Sequence, residues 1–217
     1  MLAGCNGAGK SSVGGAAFRS AGADYFNPDE AARAILAANA ARSSITQEQA
    51  NGAAWSEGRR LLERAIGERR DFAFETTLGG HTIADRLRAA CGAGIDVHVW
   101  FAGLETVEMH VERVRQRVAQ GGHDIPEAKI RARFDRSREN LIGLVPHIAS
   151  LRLFDNSTPG DPARGRVPQP RLLVQMVKGR ITAPRTLRTL LGETPHWAKP
   201  VVAAALKHHL RGRAGHA

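Results

Sequence analysis

The stretch that decides the fold is Gly4-Cys5-Asn6-Gly7-Ala8-Gly9-Lys10-Ser11, which matches the phosphate-binding P-loop pattern G-x-x-x-x-G-K-[ST] at every position. Its glycines let backbone N–H groups curl around a β-phosphate, and the helix that follows adds its positive N-terminal end. Lys10 is expected to reach the β- and γ-phosphates, and the Ser11 hydroxyl is expected to bind Mg²⁺. A P-loop by itself does not separate a kinase from other enzymes that act on nucleoside triphosphates. The residues predicted to bind the nucleotide here are Gly4, Asn6, Gly7, Ala8, Gly9, Lys10, Ser11 and Ser12.

The P-loop stands very close to the first residue of the sequence. Only Met1-Leu2-Ala3 precede it, although such a loop normally follows a strand of about 5–6 residues. We therefore expect either an unusually short central strand or a natural start upstream of Met1.

The composition is that of a globular protein with a sizeable core, since 42% of the 217 residues are hydrophobic and 24% are charged. No apolar run reaches the ~18–20 residues of a membrane-spanning helix, and the N-terminus lacks a signal-peptide pattern. Cys5 and Cys91 alone form neither a disulfide framework nor a four-ligand zinc site, and His81, His98 and His110 lack metal-site spacing. We expect a cytoplasmic protein without membrane contact, built as one α/β domain with an appendage.

Charge is distributed unevenly along the chain. Of 31 Lys and Arg and 21 Asp and Glu residues, 11 basic and 2 acidic ones lie in residues 159–217, together with seven of the ten prolines. This change predicts a domain over residues 1–158 and a basic, proline-rich extension over residues 159–217. The extension could contact nucleic acid or an acidic partner, but a solvated extension is favoured because aromatic residues are only 5% of the chain. Leu172-Leu173-Val174 and Trp197 are nevertheless apolar enough to pack against the domain.

Short apolar runs alternate with long amphipathic stretches, which predicts a parallel sheet covered by helices on both faces. In the helix that starts at Thr46, Trp55, Leu62 and Ile66 suggest one apolar face. The extension carries the signals of a β-hairpin and a last helix. Strands are predicted at residues 24–27, 71–76, 95–102 and 151–154 with the hairpin at 172–181, and helices at 10–20, 28–41, from 46, 82–92, 105–120, 126–150 and 197–211.

Polar residues follow two of the predicted strands, at the sheet edge where open α/β folds bind ligands. Asp29 follows the second strand and could accept the proton of a substrate hydroxyl that attacks a γ-phosphate. Alternatively, Asp29 and Glu30 are first-turn acids that favour the helix dipole, and spacing alone does not separate the two interpretations. Glu75 and Thr77 end the next strand, where a carboxylate could hold the substrate or a Mg²⁺-bound water.

Arginine side chains are concentrated on both sides of Gly121-Gly122. Two arginine-bearing helices joined by a Gly-rich hinge suit a lid, because γ-phosphoryl transfer concentrates negative charge at its transition state. We therefore predict a lid around residues 113–138, in which some arginines contact phosphate and the others are solvated. The arginines are Arg113, Arg115, Arg117, Arg131, Arg133, Arg136 and Arg138.

Taken in this order, the segments of residues 1–158 resemble the zeta-toxin family of P-loop kinases, especially its small, stand-alone bacterial members. The combination is far more specific than the P-loop alone. The matching segments are the P-loop with Ser12, Tyr25-Phe26-Asn27-Pro28-Asp29, Phe74-Glu75-Thr76-Thr77-Leu78, Arg113-Val114-Arg115-Gln116-Arg117-Val118, Gly121-Gly122-His123-Asp124-Ile125-Pro126, Arg136-Ser137-Arg138-Glu139-Asn140-Leu141 and Asp155-Asn156-Ser157.

The resemblance implies a nucleoside-kinase-like sheet and an ATP-dependent kinase. Characterised zeta toxins phosphorylate the 3′-hydroxyl of UDP-N-acetylglucosamine and are restrained by an antitoxin. By position, Lys10 and Ser11 would bind ATP and Mg²⁺, and Asp29 falls where the family's general base lies. Glu75 and Thr77 fall in the family's sugar-nucleotide site.

The resemblance also implies roles for the arginines. Other functions remain as alternatives. Residues 113–117 and 131–136 match the family's phosphate-binding segments, which implies nucleotide binding by Arg113 and catalysis by Arg117 and Arg133. The chain departs from the larger toxins in lacking their longer C-terminal region and in carrying its own basic extension. Two alternatives are a kinase of another metabolite or of a nucleic-acid hydroxyl, and a regulatory module that binds ATP without transfer.

Overall fold

Seven strands form one mixed sheet in the computed structural model, which describes residues 1–15, 17–18, 24–40, 45–158 and 169–214. In chain order the strands are β1 (Leu2–Ala3), β2 (Asp24–Phe26), β3 (Phe72–Thr76), β4 (His98–Gly103), β5 (Ser150–Asp155), β6 (Arg171–Val177) and β7 (Arg180–Ala183). Across the sheet their order is β2-β3-β1-β4-β5-β6-β7. Strands β1 to β5 pair in parallel, and β6 and β7 add to the β5 edge as an antiparallel hairpin. The predicted α/β class, its largely parallel sheet and its C-terminal hairpin are confirmed.

Helices connect the strands and begin at the capping residues expected from the sequence. The Asn27 side chain accepts hydrogen bonds from the backbone N–H of Asp29 and Glu30, and Thr46 and Gln49 form a capping box. The helices are α1 (Ser11–Gly15, with π-type hydrogen bonding), α2 (Pro28–Asn39), α3 (Gln47–Glu68), α4 (His81–Gly92), α5 (Val107–Ala119), α6 (Glu127–Leu144), α7 (Leu187–Glu193) and α8 (Lys199–Ala214).

Several element boundaries differ from the sequence predictions. Helix α6 ends at Leu144 rather than near residue 150, because Pro146 lacks the backbone N–H that would continue the helix. Strand β4 starts at His98 rather than residue 95, after a turn at Gly94, whose φ is 74°. Helix α7 was not predicted. Residues 16, 19–20 and 41 of the predicted first two helices lie outside the described residues.

The main core lies on one face of the sheet. Phe101, Leu151 and Leu153 are buried there together with apolar residues of α4, α6 and α8. On the other face, Gly14 of α1 lies close to the Trp100 ring, and the ring centroid of Phe18, which follows α1, is 5.2 Å from that of Trp100. Successive residues of β4 therefore contact helices on opposite faces of the sheet, as expected for a strand covered on both faces.

The C-terminal segment is integrated into the main core. The Trp197 ring stacks near Phe101 at a centroid distance of 6.4 Å, and Val174, Val201 and Val202 are buried beside it. The division at residues 158 and 159 stays a prediction, because residues 159–168 lie outside the described residues.

The two-residue β1 lies at the centre of the parallel strands. Leu2 pairs with Glu75 on one side and with Trp100 on the other, and Ala3 pairs with Thr76 and Phe101. The carboxyl ends of β1, β2 and β3 therefore meet at one edge of the sheet, and their connecting loops form the site described next.

Candidate active site

A cavity of about 680 Å³ opens where β1, β2 and β3 end. Its walls come from the P-loop, the start of α2, one side of α3, the β3–α4 loop and the segment that leads into α6. The P-loop residues other than Asn6 and Lys10 do not line this cavity. Arg113 and Arg117, from α5, do not line it either. The predicted site residues that line the cavity are Asn6, Lys10, Asp29, Glu75, Thr77 and Arg133.

The P-loop backbone has the form of a phosphate cradle. Gly7 has a φ of 79°, a conformation that side chains disfavour, and a Cβ there would lie 2.6 Å from the His110 carbonyl oxygen. A larger residue would therefore disrupt the loop. The concave backbone in front of the α1 N-terminus suits an anion such as a nucleotide phosphate.

Lys10 and Ser11 stand at the junction between the loop and α1. Lys10 Nζ donates to the Gly4 carbonyl at 3.3 Å, so its ammonium group lies over the loop. The Ser11 side chain is exposed. Mg²⁺ in nucleotide sites typically binds one or two protein oxygens, substrate phosphates and several waters, and one hydroxyl beside a phosphate cradle fits that set. Among the described residues, no group of three or more His, Cys, Asp and Glu side chains could hold a metal ion.

Asp29 and Glu30 occupy different environments although they are neighbours in the first turn of α2. The Asp29 backbone N–H donates to Asn27 Oδ1 at 2.9 Å, and the residue is half-buried at the cavity wall. Glu30 is exposed and does not line the cavity. Across the cavity edge, Arg117 Nη1 lies 3.6 Å from Asp29 Oδ2. The Asp29 carboxylate is therefore placed where it can meet a ligand, and an arginine stands beside it.

Glu75 and the threonines that follow it are fixed by hydrogen bonds. The Tyr25 hydroxyl donates to Glu75 Oε1, and the Glu75 residue is buried. The Thr77 hydroxyl accepts from the backbone N–H of Gly79 at 3.4 Å. From α6, the Asn140 amide donates to the Leu78 carbonyl at 2.8 Å. The β3–α4 loop is thus held in one position at the cavity wall.

Asn140 was not assigned a role from the sequence. It is a buried polar residue on the apolar face of α6, next to Leu141 and Leu144. A polar residue at such a position is the signal that could have identified it, because buried amides need hydrogen-bond partners.

The predicted arginines differ in their contacts. Arg133 lines the cavity, and its Nη1 donates to Asn6 Oδ1 at 2.8 Å, which joins α6 to the P-loop. Arg117 Nη2 donates to the His123 carbonyl at 3.2 Å, while its Nε is buried without a partner among the described residues. Arg113 instead donates to the Asn156 carbonyl at 2.7 Å, and burial lowers the pKa of its guanidinium. Arg115 and Arg131 pair with Glu127 on exposed helix faces.

Gly121 and Gly122 form the C-terminal cap of α5. The Gly122 N–H donates to the Arg117 carbonyl and the Gly121 N–H to the Val118 carbonyl, both at 2.9 Å, in the pattern of a Schellman motif. Gly121 has a φ of 86°, the left-handed conformation that this cap requires. The pair therefore positions Arg117 at the end of a helix, and movement of a lid about it stays a prediction.

His110 lies directly beneath the P-loop and was interpreted from the sequence as an ordinary histidine. Its Nδ1 lies 2.7 Å from the Asn6 carbonyl, and its ring packs edge-on against Phe134. Burial lowers its pKa to about 4, with the charges of Lys10 and Arg113 acting in the same direction. The ring is therefore neutral near pH 7 and supports the loop as a hydrogen-bond donor.

The sequence interpretation of Trp55 was wrong. Trp55 was expected on the apolar face of α3, but 46% of its surface is exposed and it lines the cavity. The residues of α3 that are buried are Ala50, Ala54 and Leu62. The helix packs its small alanines inward, and the large indole is left on the adjacent side.

Comparison with known proteins shows a match to one protein family. A family model described as "Zeta toxin" matches residues 1–152. An uncharacterized protein of Haemophilus influenzae is 35% identical over 74 residues, which are 34% of this chain and 53% of that protein. The aligned segment therefore spans about half the length of that relative. No described helix is long and apolar enough to cross a membrane.

Solved structures share the fold at low sequence identity. The AvrRxo1-ORF1:AvrRxo1-ORF2 complex with ATP matches with a TM-score of 0.62 and 15% identity, over 95% of this chain and 75% of that one. The toxin–antitoxin system PezAT of Streptococcus pneumoniae matches with a TM-score of 0.53 and 14% identity, over 95% and 85%. These likenesses establish the fold alone. The family match covers more than half of the sequence, P-loop and cavity included, and the chain therefore belongs to the zeta-toxin family.

Proposed function

We propose that this protein is an ATP-dependent kinase that transfers the γ-phosphate of ATP to a hydroxyl of a UDP-activated amino sugar, with UDP-N-acetylglucosamine as the first candidate. The observation that carries the proposal is the cavity that holds both Lys10 of a complete P-loop and the Asp29 carboxylate. Membership of the zeta-toxin family and the P-loop kinase-type fold support a phosphotransferase. The fold relative solved with ATP supports ATP as the phosphate donor.

The P-loop side of the cavity would bind the triphosphate. Backbone N–H groups around Gly7 and the N-terminus of α1 would hold the β-phosphate, and Lys10 would pair with the β- and γ-phosphates. Mg²⁺, held by the Ser11 hydroxyl, would neutralise phosphate charge. Arg133 lines the same cavity and contacts Asn6 of the loop, so its guanidinium would lie beside the triphosphate.

Asp29 would act as the general base. Its carboxylate would accept the proton of the acceptor hydroxyl while that oxygen attacks the γ-phosphorus, and the bond between the γ-phosphorus and the bridging oxygen would break to release ADP. Arg117 lies 3.6 Å from Asp29 and could reach from the carboxylate to the transferred phosphoryl group. Its charge would then count most in the transition state, where the phosphoryl oxygens carry the most negative charge.

The acceptor side is formed by the rigid β3–α4 loop. Glu75 is held by Tyr25, and Thr77 by the loop backbone, so their oxygens would be fixed before the substrate arrives. Fixed acceptors and donors suit the hydroxyl groups of a sugar, which need directed hydrogen bonds. We further propose an antitoxin as a protein partner, since the fold relatives include a toxin–antitoxin system.

The experiment is a transfer assay with Mg-ATP and UDP-N-acetylglucosamine, read by mass spectrometry as the gain of one phosphate. The Asp29→Asn variant should bind ATP with unchanged affinity and lose transfer by about 10²–10⁴-fold, the usual contribution of a general base. Glu30→Gln is the matched control, because Glu30 is the neighbouring acid outside the cavity. A protein that binds ATP but leaves a whole metabolite extract unphosphorylated would be a regulatory module instead.

A further inference from the structure

One side of α3 forms a continuous wall of the cavity that no part of the proposed chemistry uses. Its residues follow one another at intervals of four, which places them on one face of the helix. Twelve residue steps of α-helix span about 18 Å, so this wall is longer than a single sugar ring. We call this wall the α3 ridge, and it consists of Gln47, Asn51, Trp55 and Arg59.

The ridge presents an aromatic face and a cation side by side. The Arg59 guanidinium carbon lies 5.5 Å from the centre of the Trp55 ring, so the two side chains lie against each other. Arg59 Nε is buried and has no hydrogen-bond partner among the described residues. A carboxylate oxygen of Glu63 lies 3.9 Å from Nη1 and forms only a weak, exposed ion pair. A buried donor without an acceptor is costly unless a ligand supplies one.

The glycines of α3 shape the space in front of the ridge. Gly58 packs against the Phe26 ring, where a Cβ would meet Cε1 at 2.6 Å, so α3 approaches the end of β2 closely there. Gly52 also lines the cavity, and a Cβ there would meet no atom within 4 Å. The cavity is thus narrow at Gly58 and open at Gly52, beside the exposed indole.

We infer that the α3 ridge binds the nucleoside diphosphate portion of the acceptor, with Trp55 stacked on the base and Arg59 donating to a diphosphate oxygen. This inference rests on the proposed function and extends it, because it identifies what selects an extended, anionic acceptor over a free sugar. An indole offers stacking to a flat ring, and a guanidinium fork is suited to phosphate oxygens. The reacting hydroxyl then lies at the Asp29 end of the cavity.

The probe is UDP, which lacks the reacting sugar, titrated by calorimetry into full-length protein saturated with Mg²⁺ and a non-hydrolysable ATP analogue. The analogue occupies the P-loop, so that the titration does not measure binding of the UDP diphosphate to the P-loop. We expect Trp55→Ala and Arg59→Gln each to weaken UDP binding at least about five-fold, the lower end of base stacking. Binding of the ATP analogue should change less than about two-fold.

Two matched glycines in α3 give a second measurement that does not depend on removing a side chain. Gly52→Leu should fill the open space and abolish UDP binding, whereas Gly67→Leu, also without atoms within 4 Å of its Cβ but outside the cavity, should leave binding unchanged. Arg64→Gln is the control for Arg59, because Arg64 is an exposed arginine that pairs with Glu68. Equal UDP affinity in wild type, Trp55→Ala, Arg59→Gln and Gly52→Leu would overturn the inference, as would a wild type that does not bind UDP.

A transfer assay with UDP-N-acetylglucosamine separates this inference from the proposed function. If the wild type transfers phosphate and the ridge variants keep the same acceptor KM, the ridge inference fails and the proposed function stands. If UDP binding depends on the ridge but the wild type phosphorylates neither UDP-N-acetylglucosamine nor any other nucleotide sugar, the proposed reaction fails and the ridge stands. If both hold, the ridge variants should raise the acceptor KM more than they lower kcat.

Discussion

The cavity edge of the sheet and the C-terminal segment from β6 to α8 are built in opposite ways. At the cavity edge, strands of two to five residues end in glycine loops and polar side chains, and Asp29 and Lys10 stay accessible. In the C-terminal segment, β6 has seven residues, pairs antiparallel and buries Val174 and Met176. None of its described residues lines the cavity. The candidate site therefore lies where the strands are shortest, whereas the C-terminal segment contributes to the core and lies outside the cavity.

A short chain of contacts connects the two regions. The Trp197 indole N–H donates to Asp155 Oδ1 at 3.2 Å, and the Asn156 amide donates to the Ala8 carbonyl of the P-loop at 2.9 Å. Asp155 also accepts from the Ser157 hydroxyl at 2.5 Å. The residues that follow β5 are thus held from the C-terminal side and in turn hold the P-loop.

The largest expected effect on stability is that of replacing Trp197, and replacing Trp55 is the comparison. Trp197→Ala removes a side chain that is 2% exposed and leaves Asp155 without its indole donor, so it should cost about 3–5 kcal/mol of unfolding free energy. Trp55→Ala removes an exposed side chain and should cost less than about 0.5 kcal/mol. Thermal unfolding should show a drop of roughly 10 °C for the first and almost none for the second. Similar losses in both would mean that Trp55 is also part of the core.

Sequence patterns predicted the elements that depend on local chemistry. The P-loop, the Asn27 cap and the Thr46 capping box follow from residue types at fixed spacing, and all are present. Hydropathy also predicted the C-terminal hairpin and last helix. Each of these features requires only neighbours in the chain.

Features that depend on distant neighbours were missed. Trp55 was assigned to an apolar face because its spacing relative to Leu62 fits a helix, but the inner positions of α3 are taken by Ala50 and Ala54. The contact between Arg133 and Asn6 joins residues 127 positions apart, and no local pattern specifies it. The role of Asn156, which holds Ala8 from 148 positions away, is of the same kind.

We expect an intermediate effect on stability from the titration of His110. It tests whether acid pH destabilises the cavity edge more than the C-terminal segment. Its pKa is lowered from 6.5 to about 4, so the unfolded chain binds a proton more readily than the folded protein. Folding stability should therefore fall as the pH decreases from about 6.5 to 4, by up to about 3 kcal/mol, and change no further below pH 4 through this group.

The measurement is urea unfolding of wild type and His110→Asn across that pH range. The asparagine amide can replace the ring N–H toward Asn6 but does not titrate, so the difference in stability between the two proteins should shift in favour of the variant as the pH falls. His98→Asn is the control, because it makes the same substitution at an exposed histidine. A difference that stays constant with pH would show that His110 is not desolvated in the folded state.

The smallest effect concerns the glycine pair that ends α5, and it distinguishes a cap from a hinge. Gly121→Ala places a side chain at a φ of 86° and should destabilise the protein by about 1 kcal/mol, because alanine disfavours the left-handed conformation. Gly67→Ala, in the last turns of α3 with no atom near its Cβ, should instead stabilise it by up to about 1 kcal/mol. Denaturant titration of both variants compares the signs directly. The left-handed conformation of Gly121 allows the Gly122 N–H to reach the Arg117 carbonyl, so the first variant should also lower turnover by a few-fold while ATP affinity is retained. If alanine at position 121 stabilised the protein, α5 would continue through the glycines, and the segment would be the hinge of a lid rather than a cap.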